Sequence, residues 1–524
     1  MRSESRTDAL WWRVLEIFLP LDEDEAALPE IAARAAGVPR PDIVDVRVLR
    51  RSLDARKGRP IGWRLQVAVR RAGDLPLPSP AGLPPPMRAG RPLRVVIVGA
   101  GPAGTFAALR LAQAGLAPII VERGKPVQPR RHDIKSLVAR GALDPDSNYC
   151  FGEGGAGTFS DGKLYTRTKD REATSEVLRV LVEHGADPGI LVDARPHIGS
   201  NRLPLILLAL RAHLEKQAIA YIWSDPVADL LTVEGKLAGV RLRSGREVAA
   251  DAVVLAVGHS ARDVYRMCHA HGLALAPKSF AVGARVEHPQ PLVDGIQYGR
   301  AAGHPRLPAA FYHVTAQEND RGVYSFCMCP GGWVVSSATE PESLCTNGMS
   351  LKNRDAPLAN SALVVTVEPR DWGGDVLGGI ALQQSLERAA FLAGGGGHIA
   401  PAQRVTDFLA RRPTSEPLPS SYRPGIIGGD VGALLPPAVV ASLVKALSRF
   451  GRMMPGFAGA SAQLVGVETR SSSPVRVVRD DRSLQSPTLA GLFPCGEGAG
   501  YAGGIVSAAI DGLRIADAIL ATTC

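Results

Sequence analysis

Residues 94–122 read RVVIVGAGPAGTFAALRLAQAGLAPIIVE. The order along this stretch is an apolar strand, a glycine turn, a helical pattern and a second apolar strand that ends on Glu122. The turn has the spacing G-x-G-x-x-G, formed by Gly99, Gly101 and Gly104. Strand, glycine turn, helix, strand and acid in this order predict a nucleotide-binding βαβ unit.

Each position of this unit has a physical role. Gly99 permits the tight turn, and Gly101 has no side chain to keep the backbone away from a pyrophosphate. Gly104 lets the helix pack closely on the strand. The helix N-terminus offers free N–H groups and partial positive charge to phosphates. Glu122, about 20 residues further on, can accept hydrogen bonds from a ribose diol.

The composition is typical of a soluble globular protein. The 524 residues are 45% hydrophobic and 21% charged, enough chain for two or three domains. No apolar run is long enough to span a bilayer, and the polar residues 1–10 do not resemble a secretory signal. Seven scattered cysteines indicate reduced thiols and a cytoplasmic location. The charge of +9 is spread along the chain, so no clear nucleic-acid partner is predicted, and no metal site has ligand spacing.

Residues 1–72 are predicted to form a small separate module. Its order βαββ is read from four runs, at 13–19, 22–36, 43–50 and 61–69. The basic stretch 50–57 lies in or beside the turn between the last two strands. It is either a solvated turn, which is favoured, or a contact for phosphates or a partner. Residues 73–93, with Pro84-Pro85-Pro86, are predicted to be a semi-rigid linker.

A second glycine-rich stretch, 150–164, reads CFGEGGAGTFSDGKL. Its glycines let the backbone approach a ligand closely and offer N–H groups to an anion. A flexible surface loop is the alternative. The density of small residues around only a few polar ones favours the ligand-binding interpretation.

Two further glycine turns follow apolar strands. A β-meander at 227–257 ends in a continuous apolar run, 252–257, which is predicted to return to the first sheet as a buried parallel strand before Gly258. Near the end of the chain, LFPCGEGAGYAGGI at 492–505 precedes a helical run at 506–520. This is again a strand, a glycine turn and a helix N-terminus, suited to anionic or carbonyl oxygens.

Residues 277–465 differ in texture, with short strands and many glycine turns, and are predicted to be the substrate domain. The run 279–288 alternates as a strand does. Further elements are predicted at 324–329 and 362–367 (strands), at 378–392 and 438–450 (helices) and at 394–397 (a loop). The flanking parts, 94–276 and 466–524, are predicted to form one cofactor-binding domain.

The three glycine turns would meet in a dinucleotide-binding sheet interrupted by an inserted domain. In this order the chain resembles the glutathione-reductase-type FAD fold. The turn at 99–104 resembles its pyrophosphate-binding turn, and Ala256-Val257-Gly258 resembles its middle glycine strand. Cys495-Gly496-Glu497 resembles its late motif, whose acid holds the ribityl chain. Many members have Asp there, whereas this chain has Glu497, as in fumarate-reductase-like flavoproteins.

Several strings resemble, over nearly the whole chain, a family called FAD-dependent dehydrogenases, which is distantly similar to geranylgeranyl reductases. They are the strings at 54–57, 150–164, 280–289, Cys327-Met328-Cys329-Pro330-Gly331-Gly332 and the chain ending. The resemblance implies an α/β fold: a glutathione-reductase-type FAD-binding Rossmann domain with an inserted α+β substrate domain and a small N-terminal βαββ module. It implies FAD as cofactor, held by Gly99, Gly101, Ala103, Gly104, Glu122, Arg123, Gly154, Gly155, Ala156, Gly157, Val227, Val257, Gly258, Gly496, Glu497, Gly503, Gly504 and Ile505.

In a flavoprotein the flavin performs the redox chemistry, and the protein supplies position and field. The candidate catalytic side chains are Lys163, Arg285, His288 and Cys329. Arg285 and Glu287 share one strand face and either orient a carboxylate or form a structural ion pair. His288 is a packing residue, which is favoured, or a proton carrier. Lys163 faces either the flavin or water.

Cys327 and Cys329 also share a strand face. A redox pair usually has the spacing C-x-x-C. Because a C-x-C disulfide is strained, buried thiols are favoured over a redox pair.

The predicted function is an FAD-dependent dehydrogenase or reductase that moves a hydride between flavin N5 and a small organic or lipid-like substrate. One dinucleotide turn is found and not two, so NAD(P)H would bind only transiently as an electron donor; another carrier or oxygen is the alternative. Two competing functions are a flavin monooxygenase and an FAD-containing binding protein without turnover, whose N-terminal module recruits a partner or RNA.

Overall fold

The computed structural model of the protein describes residues 13–74, 83–166 and 168–523. The first ten residues, on which the prediction about a secretory signal rests, lie outside these ranges. So do residues 75–82 of the predicted linker. Within the described ranges, no helix combines the length and the apolarity that a membrane crossing requires.

The N-terminal segment is a three-stranded antiparallel sheet with one helix. Its elements are β1 (Arg13–Pro20), α1 (Leu28–Ala36), β2 (Ile43–Asp54) and β3 (Gly62–Arg71), in sheet order β1-β3-β2. The predicted order is confirmed, but the helix starts later than predicted. Asp24 accepts a hydrogen bond from the Ala26 N–H and caps a short 3-10 turn, and Pro29 lies in the first turn of α1, where a missing N–H costs little.

The next segment contains the βαβ unit and the glycine loop. Its elements are β4 (Val95–Val98), α2 (Pro102–Gln113), β5 (Ile119–Glu122), α3 (Val127–Arg140), α4 (Arg171–Glu183), α5 (Leu203–Lys216), β6 (Ala220–Trp223), β7 (Val227–Val233), β8 (Lys236–Leu242), β9 (Glu247–Ala249), β10 (Ala252–Leu255) and α6 (Arg262–Ala270). The strand, glycine turn, helix and strand predicted at 94–122 are confirmed.

The rest of the chain alternates strands with longer helices. Its elements are β11 (Leu275–Pro277), β12 (Phe280–Pro289), α7 (Gln290–Tyr298), β13 (Thr315–Glu318), β14 (Arg321–Cys329), β15 (Gly332–Ser336), β16 (Thr346–Ser350), β17 (Leu358–Val367), α8 (Gly378–Ala393), β18 (Ala400–Arg404), α9 (Val405–Leu409), β19 (Ile426–Gly428), α10 (Pro437–Met453), β20 (Gln463–Glu468), β21 (Val475–Val477), β22 (Leu492–Pro494) and α11 (Ile505–Ala521).

A five-stranded parallel sheet positions the glycine turns. Its order is β22-β10-β4-β5-β6, and all four strand pairs are parallel. The carboxyl ends of parallel strands meet at one edge, so the turns after β4, β10 and β22 lie side by side. The chain leaves this sheet after β10 and returns to it at β22. β10 is buried along its length, which explains the apolar run predicted there as a returning parallel strand.

The β-meander is shorter than predicted. Only β7, β8 and β9 form the antiparallel three-stranded sheet, and β10 leaves it to pair with β4. The break falls at Asp251, whose carboxylate accepts hydrogen bonds from the backbone and the guanidinium of Arg94. These contacts fasten the start of β10 beside the start of β4.

A seven-stranded sheet has the order β13-β14-β17-β12-β20-β18-β19. Its strands are antiparallel except for the pair β18 and β19. β12 lies at the centre, and residues 280–288 are all buried, on both faces of the strand. The alternation of this run therefore does not mark one exposed face, because helices and loops cover the sheet on both sides.

The N-terminal sheet is attached to the main body. The backbone of Arg51 forms an isolated parallel β-bridge with Asp193. The Nε of Arg51 also lies 2.8 Å from the Asp193 carboxylate. In the basic stretch, Arg56 pairs with the buried Asp54, as does Arg64. The described part of the predicted linker is attached too, since the Gly90 N–H donates to the Thr523 hydroxyl.

Candidate functional site

The first glycine turn has space for a side chain at one of its three glycines and none at the other two. Gly99 has φ +109°, and a Cβ there would lie 2.4 Å from the Ala256 carbonyl oxygen. A Cβ on Gly104 would lie 2.0 Å from the Gly99 carbonyl oxygen, so the helix packs directly on the turn. At Gly101 a Cβ would meet nothing within 4 Å. Gly99 and Gly104 are therefore required by the fold, whereas Gly101 borders open space.

Two helices begin at this edge of the sheet without a side-chain cap. The N-cap of α2 is Gly101 and that of α11 is Gly504, and neither receives a side-chain hydrogen bond. The first N–H groups of a helix have no partner inside the helix. A Cβ on Gly496 would lie 2.9 Å from the Ala103 Cβ, which brings the last glycine turn against α2. Both helix starts are thus available to an anion or another acceptor.

The loop 150–164 touches both helix starts. The Gly154 N–H donates to the Ala100 carbonyl at 2.8 Å, which fixes the loop against the first turn. A Cβ on Gly157 would lie 3.1 Å from a side-chain carbon of Ile505, the first residue of α11. Gly155 and Ala156, between these contacts, form a short 3-10 turn. The loop therefore bridges the two helices, as its glycine content requires.

Arg130 holds this loop in place, and its role was not predicted from the sequence. It is fully buried in α3. Its guanidinium donates to the carbonyls of Asn148, Glu153 and Gly155 at 2.7–2.8 Å, and to that of Tyr149 at 3.1 Å. Burial lowers the pKa of Arg130 to about 10, so it remains a cation at neutral pH. A basic residue in the first turn of α3 gives no local signal of this contact.

Glu122, predicted to bind a ribose diol, is already hydrogen-bonded to the backbone. It is buried, and its carboxylate accepts from the N–H groups of Ala100 at 2.8 Å, Gly124 at 2.9 Å and Gly152 at 3.1 Å. A carboxylate has about four lone-pair positions. Glu122 thus fastens the first turn to the glycine loop and keeps about one position for a ligand hydroxyl. Ribose binding by Glu122 stays a prediction.

A narrow cleft opens at the carboxyl edge of the parallel sheet. Eight of the predicted cofactor residues line it: Gly99, Gly101, Glu122, Arg123, Gly155, Val227, Val257 and Gly258. Arg123 is held by ion pairs to Asp146 at 2.8 Å and Asp263 at 2.9 Å, and its guanidinium lies 4.1 Å from the centre of the Phe151 ring. The mixture of apolar walls and backbone groups is typical of a ligand site.

Glu497 lies in the third glycine turn, beside the middle one. A Cβ on Gly498 would lie 2.5 Å from the Gly258 carbonyl oxygen, so the two turns are in contact. Burial raises the pKa of Glu497 to about 7, Lys278 lowers it, and the charge of Cys327 raises it. Among the residues described, the pKa shift of this carboxyl group comes from burial and from neighbouring charges, not from a hydrogen bond.

Asp511 on α11 supports the same turn and was not predicted. Its carboxylate accepts from the Gly496 N–H at 2.7 Å and pairs with Arg479 at 2.7 Å.

The candidate catalytic residues of β12 lie in the interior. The Arg285 guanidinium is fully buried, 2.9 Å from the Glu468 carboxylate, and not paired with Glu287. Glu287 instead accepts hydrogen bonds from Ser420 and Ser421. His288 is buried, and its Nε2 lies 2.7 Å from the Phe457 carbonyl oxygen. The sequence located the strand but not its partners, because these come from distant segments.

Lys163 and Cys329 are in contact. Lys163 Nζ lies 2.9 Å from the Asp161 carboxylate, 3.8 Å from Cys327 Sγ and 3.7 Å from Cys329 Sγ. Burial alone lowers the pKa of Lys163, but the charge of Asp161 and then those of the two cysteines raise it above its ordinary value. Three of the four candidates, Lys163, Cys329 and Arg285, are thus brought together beside Cys327, since Arg285 Nη2 lies 3.7 Å from Cys329 Sγ. Across 13–74, 83–166 and 168–523, no group of His, Cys, Asp and Glu side chains is arranged to hold a metal ion.

These residues fit a dinucleotide such as FAD. Open space lies where a Cβ would stand on Gly101, Gly503 and Gly504. The two uncapped helix starts offer N–H groups to phosphate and carbonyl oxygens. The partly buried Glu497 offers an acceptor to a hydroxyl group. A ligand with phosphates at its centre and hydroxyls on either side matches this set of donors and acceptors.

Comparisons with known proteins agree with this fit. Residues 94–136 match an FAD binding domain, and residues 279–471 match the family described as FAD-dependent protein, C-terminal domain-like. An uncharacterized protein of Clostridium beijerinckii (strain ATCC 51743 / NCIMB 8052) is 40% identical over 527 residues, which cover 97% of this chain and 98% of that protein. The chain belongs to this FAD-dependent family. It is a flavoprotein of mixed α/β fold, and FAD is its cofactor.

Other matches of this FAD-dependent protein are weaker. Residues 12–70 match a domain of unknown function. A glycine oxidase from Bacillus cereus ATCC 14579 is 11% identical, with a TM-score of 0.36 over 82% of this chain and 96% of that chain. A geranylgeranyl bacteriochlorophyll reductase-like protein from Thermoplasma acidophilum is 14% identical, with a TM-score of 0.35 over 81% of this chain and 77% of that one. Similarity at this level identifies neither a substrate nor a reaction.

Proposed function

We propose that this flavoprotein is an oxidoreductase, a dehydrogenase or reductase that moves a hydride between flavin N5 and a small organic or lipid-like substrate. The observation that supports it is the meeting of two uncapped helix starts, at Gly101 and Gly504, with loop 150–164 between them. FAD supplies the two-electron chemistry when bound, and the chain supplies binding, orientation and charge.

Each part of the site has a proposed role in binding. The N–H groups of Gly101, Ala103 and Gly104 bind the pyrophosphate, together with those of Ala156 and Gly157. Gly154 and Gly155 hold the loop in place, because their N–H groups donate to the carbonyls of Ala100 and Gly152. The adenosine half occupies the cleft, beside Glu122 and Arg123. The remaining cleft residues of the predicted set, Val227, Val257 and Gly258, form its walls.

The other half of the cofactor lies, in this proposal, at the third glycine turn. Glu497 accepts a hydrogen bond from the ribityl chain, because its carboxyl group is partly buried and free. The N–H groups of Gly504 and Ile505 face the pyrimidine edge and stabilise negative charge there. The Gly503 N–H supports this turn by donating to the Ser507 hydroxyl. Gly496 allows this turn to reach α2 at Ala103.

The proposed substrate domain is 277–465, inserted between the cofactor-binding parts 94–276 and 466–524. The module at 1–72 and the linker at 73–93 complete the proposed organisation. Lys163 is the proposed polar group next to the substrate, because it is a partly buried cation at the end of the glycine loop. NAD(P)H as a transient donor, a cytoplasmic location and a partner of the N-terminal module stay predictions.

The proposed reaction is tested with the purified full-length protein and its FAD. Anaerobic addition of NADH, NADPH or a panel of alcohols, amines and unsaturated lipids is followed by flavin absorbance. Bleaching by one of them, with a matched change in that compound, supports hydride transfer. A flavin that no donor reduces, and that no acceptor reoxidises after chemical reduction, contradicts it and favours a binding protein without turnover.

The proposed pyrophosphate position is tested by Gly101→Val. Because a Cβ at this position meets only open space, we expect the fold to be retained. The new side chain occupies the space of the ligand. We expect FAD affinity to fall about 100-fold or more, because about two charge-assisted hydrogen bonds to the pyrophosphate are lost. Gly295→Val, on α7, is the matched control, because a Cβ there also meets open space without a positive φ. FAD bound to Gly101→Val at the affinity of the unmodified protein would place the pyrophosphate elsewhere.

A further inference from the structure

Two cysteines and a lysine meet where β14 ends. Lys163 Nζ lies 3.8 Å from Cys327 Sγ and 3.7 Å from Cys329 Sγ, so one cation contacts both sulfur atoms. Cys329 is fully buried, whereas Cys327 is partly exposed. The ammonium group therefore compensates a negative charge on either sulfur.

The backbone at this point differs from a regular strand. The register between β14 and β17 shifts between Phe326 and Cys329, which marks a β-bulge. Cys327 has φ +45°, a left-handed conformation that residues with a side chain rarely adopt. In a regular strand, Cα atoms two residues apart are separated by about 6.6 Å, near the upper limit for a disulfide. The bulge departs from this regular spacing.

The side chain of Cys329 is folded back toward Cys327. Its Sγ lies 3.2 Å from the Cys327 carbonyl oxygen. The pair therefore lies in a bulge and not in regular strand geometry. Backbone held in a rare conformation is common where a site requires it.

The charges around the pair favour one thiolate and one thiol. A hydrogen bond from Cys329 lowers the pKa of Cys327, burial raises it, and the charge of Lys163 lowers it, with a net shift well below the ordinary value. Burial raises the pKa of Cys329 well above its ordinary value. Arg285 adds a second cation, with its Nη2 3.7 Å from Cys329 Sγ.

The glycine loop connects the pair to the proposed flavin half of the site. Lys163 belongs to the glycine loop that contacts Ile505 at the start of α11. Burial is the main cause of the raised pKa of Glu497, and the negative charge of Cys327 also raises it. Cys268, by contrast, is buried in an apolar cluster beside the meander.

We propose that Cys327 and Cys329 are a redox-active dithiol that exchanges two electrons with the bound flavin. In the oxidative direction the Cys327 thiolate and the Cys329 thiol form one S–S bond and lose one S–H bond. Two electrons and one proton leave the sulfur atoms, and the oxidised flavin takes up both electrons and the proton. Lys163 stabilises the thiolate that forms again in the reverse direction. The proposal rests on the proposed FAD position but not on the identity of the substrate.

An anaerobic dithionite titration of the FAD-loaded protein tests it. We expect air-oxidised protein to take up about four electrons per FAD, two for flavin and two for the disulfide. Cys327→Ser and Cys329→Ser should each take up about two, because either change removes the couple. Cys268→Ser is the matched control and should keep the full uptake, because Cys268 lies apart from the pair.

A second measurement reads the sulfur atoms directly. Differential alkylation and mass spectrometry should find Cys327 and Cys329 joined in air-oxidised protein, and both alkylated after reduction. Lys163→Met should slow alkylation of Cys327 at neutral pH several-fold, since the thiolate loses its cation. This measurement reports the oxidation state of the two cysteines whether or not a substrate has been found. For a serine variant, it is interpreted only if that variant unfolds at a temperature similar to that of the unmodified protein.

Two results would overturn the proposal: about two electrons per FAD in air-oxidised protein, or two free thiols in that protein. The proposed function fails separately, when no donor or acceptor exchanges electrons with the flavin while the sulfur pair still titrates. Should both serine variants unfold, the electron count and the alkylation pattern of the unmodified protein still decide.

Discussion

At the scale of single residues, burial without a full set of partners makes His288 sensitive to pH. Its Nε2–H donates to the Phe457 carbonyl, and its ring packs on Phe457 and Tyr312. The other ring nitrogen, Nδ1, is buried and has no hydrogen-bond partner among the residues described. Burial lowers the pKa of His288 to about 4, so the ring is neutral at physiological pH. These contacts favour packing over proton transfer.

This burial predicts a loss of stability in acid. The pKa of His288 is lower in the folded than in the unfolded chain, so the unfolded state binds more protons between about pH 6.5 and 4. The free energy of unfolding should fall as the pH drops through this window, by up to about 3 kcal/mol from this group. His288→Gln should flatten that part of the pH profile in urea denaturation, and exposed His132→Gln should not. A profile of equal slope in His288→Gln would contradict the assignment.

At the scale of elements, one buried guanidinium shapes the whole glycine loop. The Arg130 guanidinium on α3 donates hydrogen bonds to four carbonyl groups of the segment 148–155. These carbonyls therefore point toward the buried side chain. The N–H groups on the opposite side of the peptide units then face away from Arg130. A glycine-rich loop has little structure of its own, because each glycine has a large conformational entropy to lose.

Arg130→Met should therefore release the loop. Four buried carbonyls lose their donor, which we expect to cost about 3 kcal/mol or more. The expected results are faster amide hydrogen exchange at 150–164 and weaker FAD binding, with the seven-stranded sheet unchanged. Arg131→Met is the matched control, because Arg131 is the next residue of the same helix and is exposed. Unchanged exchange in the Arg130 variant would mean that the loop is ordered by its other contacts.

At the scale of the whole molecule, a buried ionic cluster joins the two large sheets. Glu387 on α8 lies 2.7 Å from Arg262 on α6 and 2.7 Å from Arg470, which follows β20. All three side chains are almost completely buried. Burial by itself would raise the pKa of Glu387. The charges of Arg470 and Arg262 lower it by more, so the net shift of the pKa is downward. The cluster thus links the parallel sheet to the seven-stranded sheet.

Removal of the shared carboxylate should destabilise the molecule. In Glu387→Gln, the buried Arg470 loses its counter-charge and the buried Arg262 keeps only Glu340, so we expect a loss of about 3–5 kcal/mol in unfolding free energy. The control is Glu342→Gln, which breaks an exposed ion pair with Arg388 and should cost less than about 1 kcal/mol. Chemical denaturation followed by tryptophan fluorescence measures both. Equal midpoints for the two variants would show that the cluster adds little.

Much of the architecture could be predicted because its signals are local. The βαβ unit is encoded by an apolar run, three glycines and a helical pattern within one short stretch, and each constrains its own backbone. The returning strand β10 was predicted because a strand buried on both faces is a continuous apolar run. The two predictions that were wrong, the start of α1 and the extent of the meander, concern element ends, where capping contacts decide.

The sequence by itself determined the glycine turns, the parallel strands that carry them and hence the family and its cofactor. Only the tertiary structure decided which charges meet: Arg130 with the glycine loop, Arg285 with Glu468, and Lys163 with the two cysteines. The physical reason is the range of each interaction. Backbone conformation and apolar periodicity act between neighbours along the chain, whereas a buried charge is neutralised by whatever residue the fold brings within a few ångströms.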